Sequence, residues 1–162
     1  MEQLYPYVVT VHSVLRWVVL IAGLAAAGKA LAGWLGKHPW VKLDDRLGMF
    51  MTVNMDVQLV VGLLLYFVFS PLTRAGFTNF ATAMSDPALR FFLVEHLSVM
   101  LVAVVLTHVG RALSRRAAGE VTKHQRAAIF YTLAMLAVLI SIPWPFQVFG
   151  RPLNPFHLFF GG

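Results

Sequence analysis

In 162 residues, hydrophobic types make up 59% and charged types 12%, against roughly 45–50% and about 25% in a soluble domain. That length suits one domain, 1–162, and that much apolar surface excludes a soluble one, so the expected solvent is lipid. The formal charge of +6 does not indicate nucleic acid, because Lys and Arg gather between long apolar runs, where membrane topology places them.

The start, Met1 to Tyr7, has no basic segment and no small-residue cleavage site, so the first apolar run is expected to act as its own insertion signal. That run covers about 8–35, after Pro6 and before Gly36 and Pro39. The second covers about 47–69 and stops at Ser70 and Pro71. The third covers about 89–110, after Asp86 and Pro87, and the fourth about 127–142, ended by Pro143 and Pro145. About 20 residues cross a bilayer as a helix. The pattern therefore predicts an all-α integral membrane protein, a four-transmembrane-helix bundle. The segment Leu72 to Asp86 is mixed and amphipathic, and predicts a short helix lying along the surface. The tail, 143–162, is apolar, broken by proline and too short to cross, and is expected to pack on a neighbour or on the membrane surface.

Lys29, Lys37, Lys42 and Arg46 flank the end of the first run. Arg111, Arg115, Arg116, Lys123 and Arg126 follow the third, while the other side holds only Arg74, Arg90 and Arg151. This asymmetry predicts basic loops in the cytoplasm, both termini on the periplasmic side, and a place in the bacterial inner membrane. Trp34, Trp40, Trp144, Tyr5 and Tyr7 fall at the expected interfaces. The absence of cysteine excludes disulfides, thiolate metal sites, iron–sulfur clusters held by this chain and covalently attached haem.

Ionisable groups inside apolar runs are functional candidates. At 1.5 Å per residue, His12 lies ~6 Å and Arg16 ~12 Å in from the outer end of the first run, and Glu95 and His96 lie ~9–11 Å in on the third. Four such groups share one stratum. In one reading, His12 and His96 are axial ligands of a b-type haem, and Arg16, one turn from His12, pairs with Glu95 or meets a haem propionate. In the other, Arg16 and Glu95 form a buried ion pair and both histidines hydrogen-bond near the headgroups. His108, ~28 Å along the third run and turned about 120° from His96, reads as an interfacial histidine beside Arg111. His38, His124 and His157 fall in loops or the tail and carry no assigned site. On the second run, Met51, Met55, Gln58 and Gly62 form a packing stripe that would also admit a flat cofactor. Asp56 faces away from Asn54 and Gln58; it suits either an interhelical hydrogen bond or proton exchange with a quinone. Gly23, Ala27 and Ala30 form a close-packing face.

The stretches His12 to Trp17 (HSVLRW), Asp56 to Tyr66 (DVQLVVGLLLY), Val94 to His96 (VEH) and Thr107 to Arg111 (THVGR) resemble small bacterial four-helix membrane proteins labelled cytochrome b or b-type cytochrome-like. The likeness runs from the first apolar run to Ile142–Pro145. It implies haem b electron transfer, with His12 and His96 as ligands and His108 as a substitute. The chain departs from the two-haem cytochrome b561 pattern, lacking two cross-helix histidine pairs. The resulting expectation is a membrane electron-transfer subunit, not a self-contained enzyme, exchanging electrons with a quinone or a partner subunit. Its partners would be the lipid bilayer and other membrane subunits or further copies of itself. The rival is a cofactor-free accessory subunit of a respiratory or photosynthetic complex. A transporter or proton channel fits less well, since no run is clearly broken at mid-membrane.

Overall fold

A computed structural model describes residues 2–160; Met1 and the tail's Gly161 and Gly162 lie outside the described residues. Among the described residues, eight α-helices run in order: α1 Tyr5–Leu35, α2 Lys42–Leu64, α3 Pro71–Thr78, α4 Phe80–Ser85, α5 Pro87–Arg90, α6 His96–Arg116, α7 Glu120–Ser141 and α8 His157–Phe160. A wide π turn, Leu65–Phe69, extends α2, and a second, Phe91–Glu95, joins α5 to α6. Four helical stretches, Tyr5–Leu35, Lys42–Phe69, Pro87–Arg116 and Glu120–Ser141, are long and apolar enough to cross a membrane.

Two of these begin well before the apolar onset that marks them in the sequence. Val41 is extended, and the Asp44 carboxylate accepts its N–H at 2.7 Å, capping α2 five residues ahead of Leu47. With Glu120 in its first turn, α7 starts seven residues ahead of Ala127. Hydropathy marks where a helix becomes apolar; its polar first turn, stabilised by acids at the N-terminus, lies outside that window.

The long helices alternate in direction, so the start of α1 and the end of α7 share one end of the bundle, the tail end, and the Lys/Arg-rich loops share the other. Packing runs α1 to α2 to α6 to α7 and back to α1, which leaves α1 and α6 diagonally opposed. Small residues fill the contacts: Ala103, Ala127, Ala128 and Ala134 have no exposed surface, and Gly23, Ala27 and Ala30 are buried as expected, Gly23 against the Met135 side chain. Large apolar residues point outward instead, Ile21 and Ile140 at 70% and 71% exposure. Where lipid competes with protein for apolar surface, close backbone approach through small residues is what holds helices together.

At the basic end, Lys29 Nζ lies 3.1 Å from the almost fully buried Asp44, and Asp45 takes Arg111 at 3.4 Å and Arg115 at 3.7 Å. Asp44→Ala removes both the α2 cap and the Lys29 partner. With Lys29 partly solvated, the expected loss is about 1–2 kcal/mol, read as a lowered Tm of the detergent-solubilised protein. His124 departs from its expected loop position. The early start of α7 puts it in the first turns, where it is fully buried, faces Trp40 at 4.8 Å between ring centres, sits 3.4 Å from the Pro39 carbonyl, and packs against Gly33.

At the tail end, the expected surface helix, Leu72 to Asp86, is two short ones, α3 and α4, and α5 follows directly. Each is capped by the polar residue before it: Ser70 Oγ accepts from Thr73 N–H, Asn79 Oδ1 from Thr82 N–H, and Asp86 Oδ1 from Ala88 and Leu89 N–H. The tail packs on its own bundle. Leu153 O accepts from Arg16 Nη2 at 3.3 Å and Trp17 Nε1 at 3.4 Å, Phe149 stacks on Phe91 at 3.7 Å, Tyr7 meets Phe159, and Arg151 lies over the Phe92 ring.

Candidate functional site

His12 projects from the second turn of α1 and His96 from the first residue of α6. Because these helices are diagonal partners, the two rings meet across the bundle interior. Their centres are 6.4 Å apart, with planes inclined at 68°. The π turn ahead of His96 matters here. An extra residue in one turn rotates the rest of the helix by about 100°, and with this phase His96 lines the interior while Glu95 faces out. The carbonyls freed by the wide turns are taken by side chains: Tyr66 Oη donates to Leu93 O and Thr73 Oγ1 to Tyr66 O, both at 2.7 Å.

His96 Nδ1 lies 2.7 Å from the Ser141 carbonyl oxygen. An N–H there must donate, which fixes the tautomer and leaves Nε2 with its lone pair free, the arrangement metal-bound imidazoles use. Ser141 Oγ also donates to His96 O at 3.3 Å. On the other side, Gln58 Nε2 donates to His12 O at 3.1 Å and lies 3.3 Å from His12 Nε2, while His12 Nδ1 is buried with no hydrogen-bond partner among the described residues. Gly62 makes room for this ring: a Cβ there would stand 3.2 Å from His12 Cε1.

Both rings line one cavity of about 160 Å³ that reaches the tail end of the bundle. Arg16, Arg151 and His157 line it too, and among the described residues no Asp or Glu does. Arg16 is only 9% exposed; its Nη2 is held by Leu153 O, and no described residue bonds its Nε. A guanidinium enclosed in apolar surroundings without a counter-anion is costly, so the cavity is electrostatically suited to an anionic guest.

Of the residues the sequence singles out, His12, Arg16 and His96 converge here. Glu95 does not: one residue from His96, it points about 100° away, is exposed, and pairs with Arg90 at 2.7 Å. Arg16 and Glu95 therefore form no ion pair. His108 does not reach the cavity either. It lies ~18 Å further along α6 than His96 and pairs with Asp56 at 2.8 Å on the outer face of the bundle, so it cannot replace His96 as a ligand. The same contact gives Asp56 the interhelical hydrogen bond that is one of its two expected roles. Met51 is a core residue, whereas Met55, Gln58 and Gly62, further along the stripe, line the cavity. Ser141 was legible only as a polar residue within an apolar run. Arg151 and His157 reach the cavity because the tail folds back, and no periodicity announces that.

The chain matches no family model, no curated protein and no solved structure. A functional reading therefore rests on the geometry of the cavity.

Proposed function

We propose that this chain is a b-type cytochrome-like electron-transfer subunit that spans the bacterial inner membrane four times, its basic loops in the cytoplasm and both termini in the periplasm. In this reading a haem b would be held between α1 and α6 by His12 and His96. The spacing of the two imidazoles carries the reading. Metal–imidazole bonds of about 2.0–2.1 Å would let two rings with centres roughly 6 Å apart hold one metal ion, and here they are 6.4 Å apart. The Nε2 of His96 carries a free lone pair, and that of His12, which accepts from the Gln58 amide at 3.3 Å, becomes available once Gln58 turns aside. Arg16 and Arg151 would meet the propionates, which supply the negative charge the cavity lacks.

Bound there, haem b supplies one-electron redox chemistry. The chain's residues orient and tune it. Ser141 holds the His96 ring and raises its basicity through the Nδ1–H bond. The tail segment around Leu153 keeps Arg16 in place. The apolar walls exclude water. Electrons would be exchanged with a quinone or a partner subunit.

A cofactor-free accessory subunit remains the second reading, and the cavity's size favours it. About 160 Å³ falls below the roughly 300–1,000 Å³ of small-molecule sites, so a porphyrin enters only if side chains such as Leu59 and Met100 repack. An optical spectrum separates the two. Protein purified from haem-replete cells is expected to show the reduced-minus-oxidised bands of a low-spin haem. A folded, colourless preparation would leave the accessory reading in its place.

A further inference from the structure

The outer face formed by α2 and α6 carries a feature the haem reading does not use. Asp56 Oδ1 and His108 Nε2 lie 2.8 Å apart, and their side chains are 45% and 51% exposed. Their level is set by the helical rise. Asp56 lies ~16 Å along α2 from Asp45, which ties down Arg111 and Arg115, and ~21 Å from Ser70 at the other end. On α6, His108 is one turn, ~4.5 Å, from Arg111, so in a hydrocarbon layer ~30 Å thick the pair lies inside the apolar zone, nearer the basic end. The surroundings are apolar: Val53 and Val60 on α2, and Leu101 and Val105 on α6, are 42–59% exposed.

A half-exposed ionisable pair at that depth is not stable facing lipid. Each partner also has bonding capacity left over. Among the described residues nothing bonds the second carboxylate oxygen, Oδ2, or the second ring nitrogen, Nδ1. As a net-neutral pair, carboxylate with imidazolium, the face presents one acceptor, Oδ2, and one donor, Nδ1–H, side by side in an apolar field. Such a pattern is self-complementary: rotation by two-fold symmetry returns the donor of one copy to the acceptor of the other, with no net charge introduced. Any other occupant would have to bring a matching acceptor and donor at the same spacing. We propose that a second copy of this chain covers the α2–α6 face, each His108 Nδ1–H donating to Asp56 Oδ2 of the other copy. The dimer closes a four-membered Asp–His–Asp–His ring within the apolar layer. The inference depends on the membrane reading and is independent of haem.

The chain has no cysteine, so a single introduced thiol reports only on itself. With the full chain in proteoliposomes, Val105→Cys, one turn from His108, is expected to give a disulfide-linked dimer on mild oxidation. Ile140→Cys, more exposed still but on α7, is expected to give none. Because either substitution removes both cross-subunit hydrogen bonds, His108→Leu and Asp56→Leu should each lower the dimerisation constant by about tenfold. Equal cross-linking at the two thiols, a monomer mass in lipid, or dimerisation unchanged by both leucine variants overturns the proposal. A quinone or a different protein on this face would appear as the monomer outcome. Alkaline carbonate extraction of native membranes keeps the premises apart: release of the chain defeats the membrane reading, whereas a retained monomer defeats the dimer alone.

Discussion

Purified His96→Ala is expected to lack the low-spin haem bands of the parent protein while keeping its helical circular dichroism. Removing a residue that merely orients a metal ligand costs about 10–100-fold in metal affinity, so removing the ligand itself should cost on the order of 100-fold or more. The fold should tolerate the change, because His96 bonds to Ser141 at the margin of the α6–α7 contact, away from the alanine-lined centre. His12→Ala should behave alike, since an iron left with one imidazole loses its low-spin character. Exogenous imidazole, small enough for the space vacated, is expected to restore the bands in either variant. His108→Ala serves as the control: its ring is on the outer face, paired with Asp56, and its loss should leave the spectrum unchanged. Bands that persist in both His12→Ala and His96→Ala would remove the redox proposal.

The second large effect concerns packing. Gly110 on α6 faces Phe130 on α7 so closely that a Cβ at position 110 would stand 2.5 Å from Phe130 Cβ and 3.2 Å from the Tyr131 ring. The nearest atom is a Cβ, fixed to its backbone, so it cannot turn aside as the end of a flexible side chain would. Gly110→Leu must therefore push α6 away from α7 along a seam where Ala103, Ala127, Ala128 and Ala134 are fully buried. Overpacking of a well-filled interior costs about 1–3 kcal/mol, and here the upper part of that range is expected, because whole helices must separate. Gly28→Leu is the matched comparison: nothing lies within 4 Å of a Cβ there, and replacing glycine within a helix gains propensity. Thermal unfolding in detergent should show a clearly lowered Tm for Gly110→Leu and an unchanged or raised one for Gly28→Leu. Equal Tm values would mean that the α6–α7 seam is looser than its geometry implies.

Four apolar helices, their order and their loops were readable from composition and hydropathy, because the cost of placing polar groups in hydrocarbon acts on each segment alone and leaves its mark in consecutive residues. Matched depth of His12, Arg16 and His96 was likewise a matter of counting residues from the ends of runs. What counting could not supply was rotation. The π turn at Phe91–Glu95 sets the phase of α6, and with it the divergence of His96 toward the interior from Glu95 toward Arg90. Nothing in the local pattern FFLVE distinguishes a π turn from an ordinary one, since its freed Leu93 carbonyl is satisfied by Tyr66 from elsewhere in the chain. The diagonal placement of α1 and α6, the return of the tail onto Arg16, and the meeting of Asp56 with His108 were equally out of reach. Each depends on contacts between residues far apart in the chain, from 52 positions between Asp56 and His108 to 137 between Arg16 and Leu153. Segment-by-segment solvation determines which stretches are helical and how deep each residue lies; only packing between helices decides which of those residues face one another.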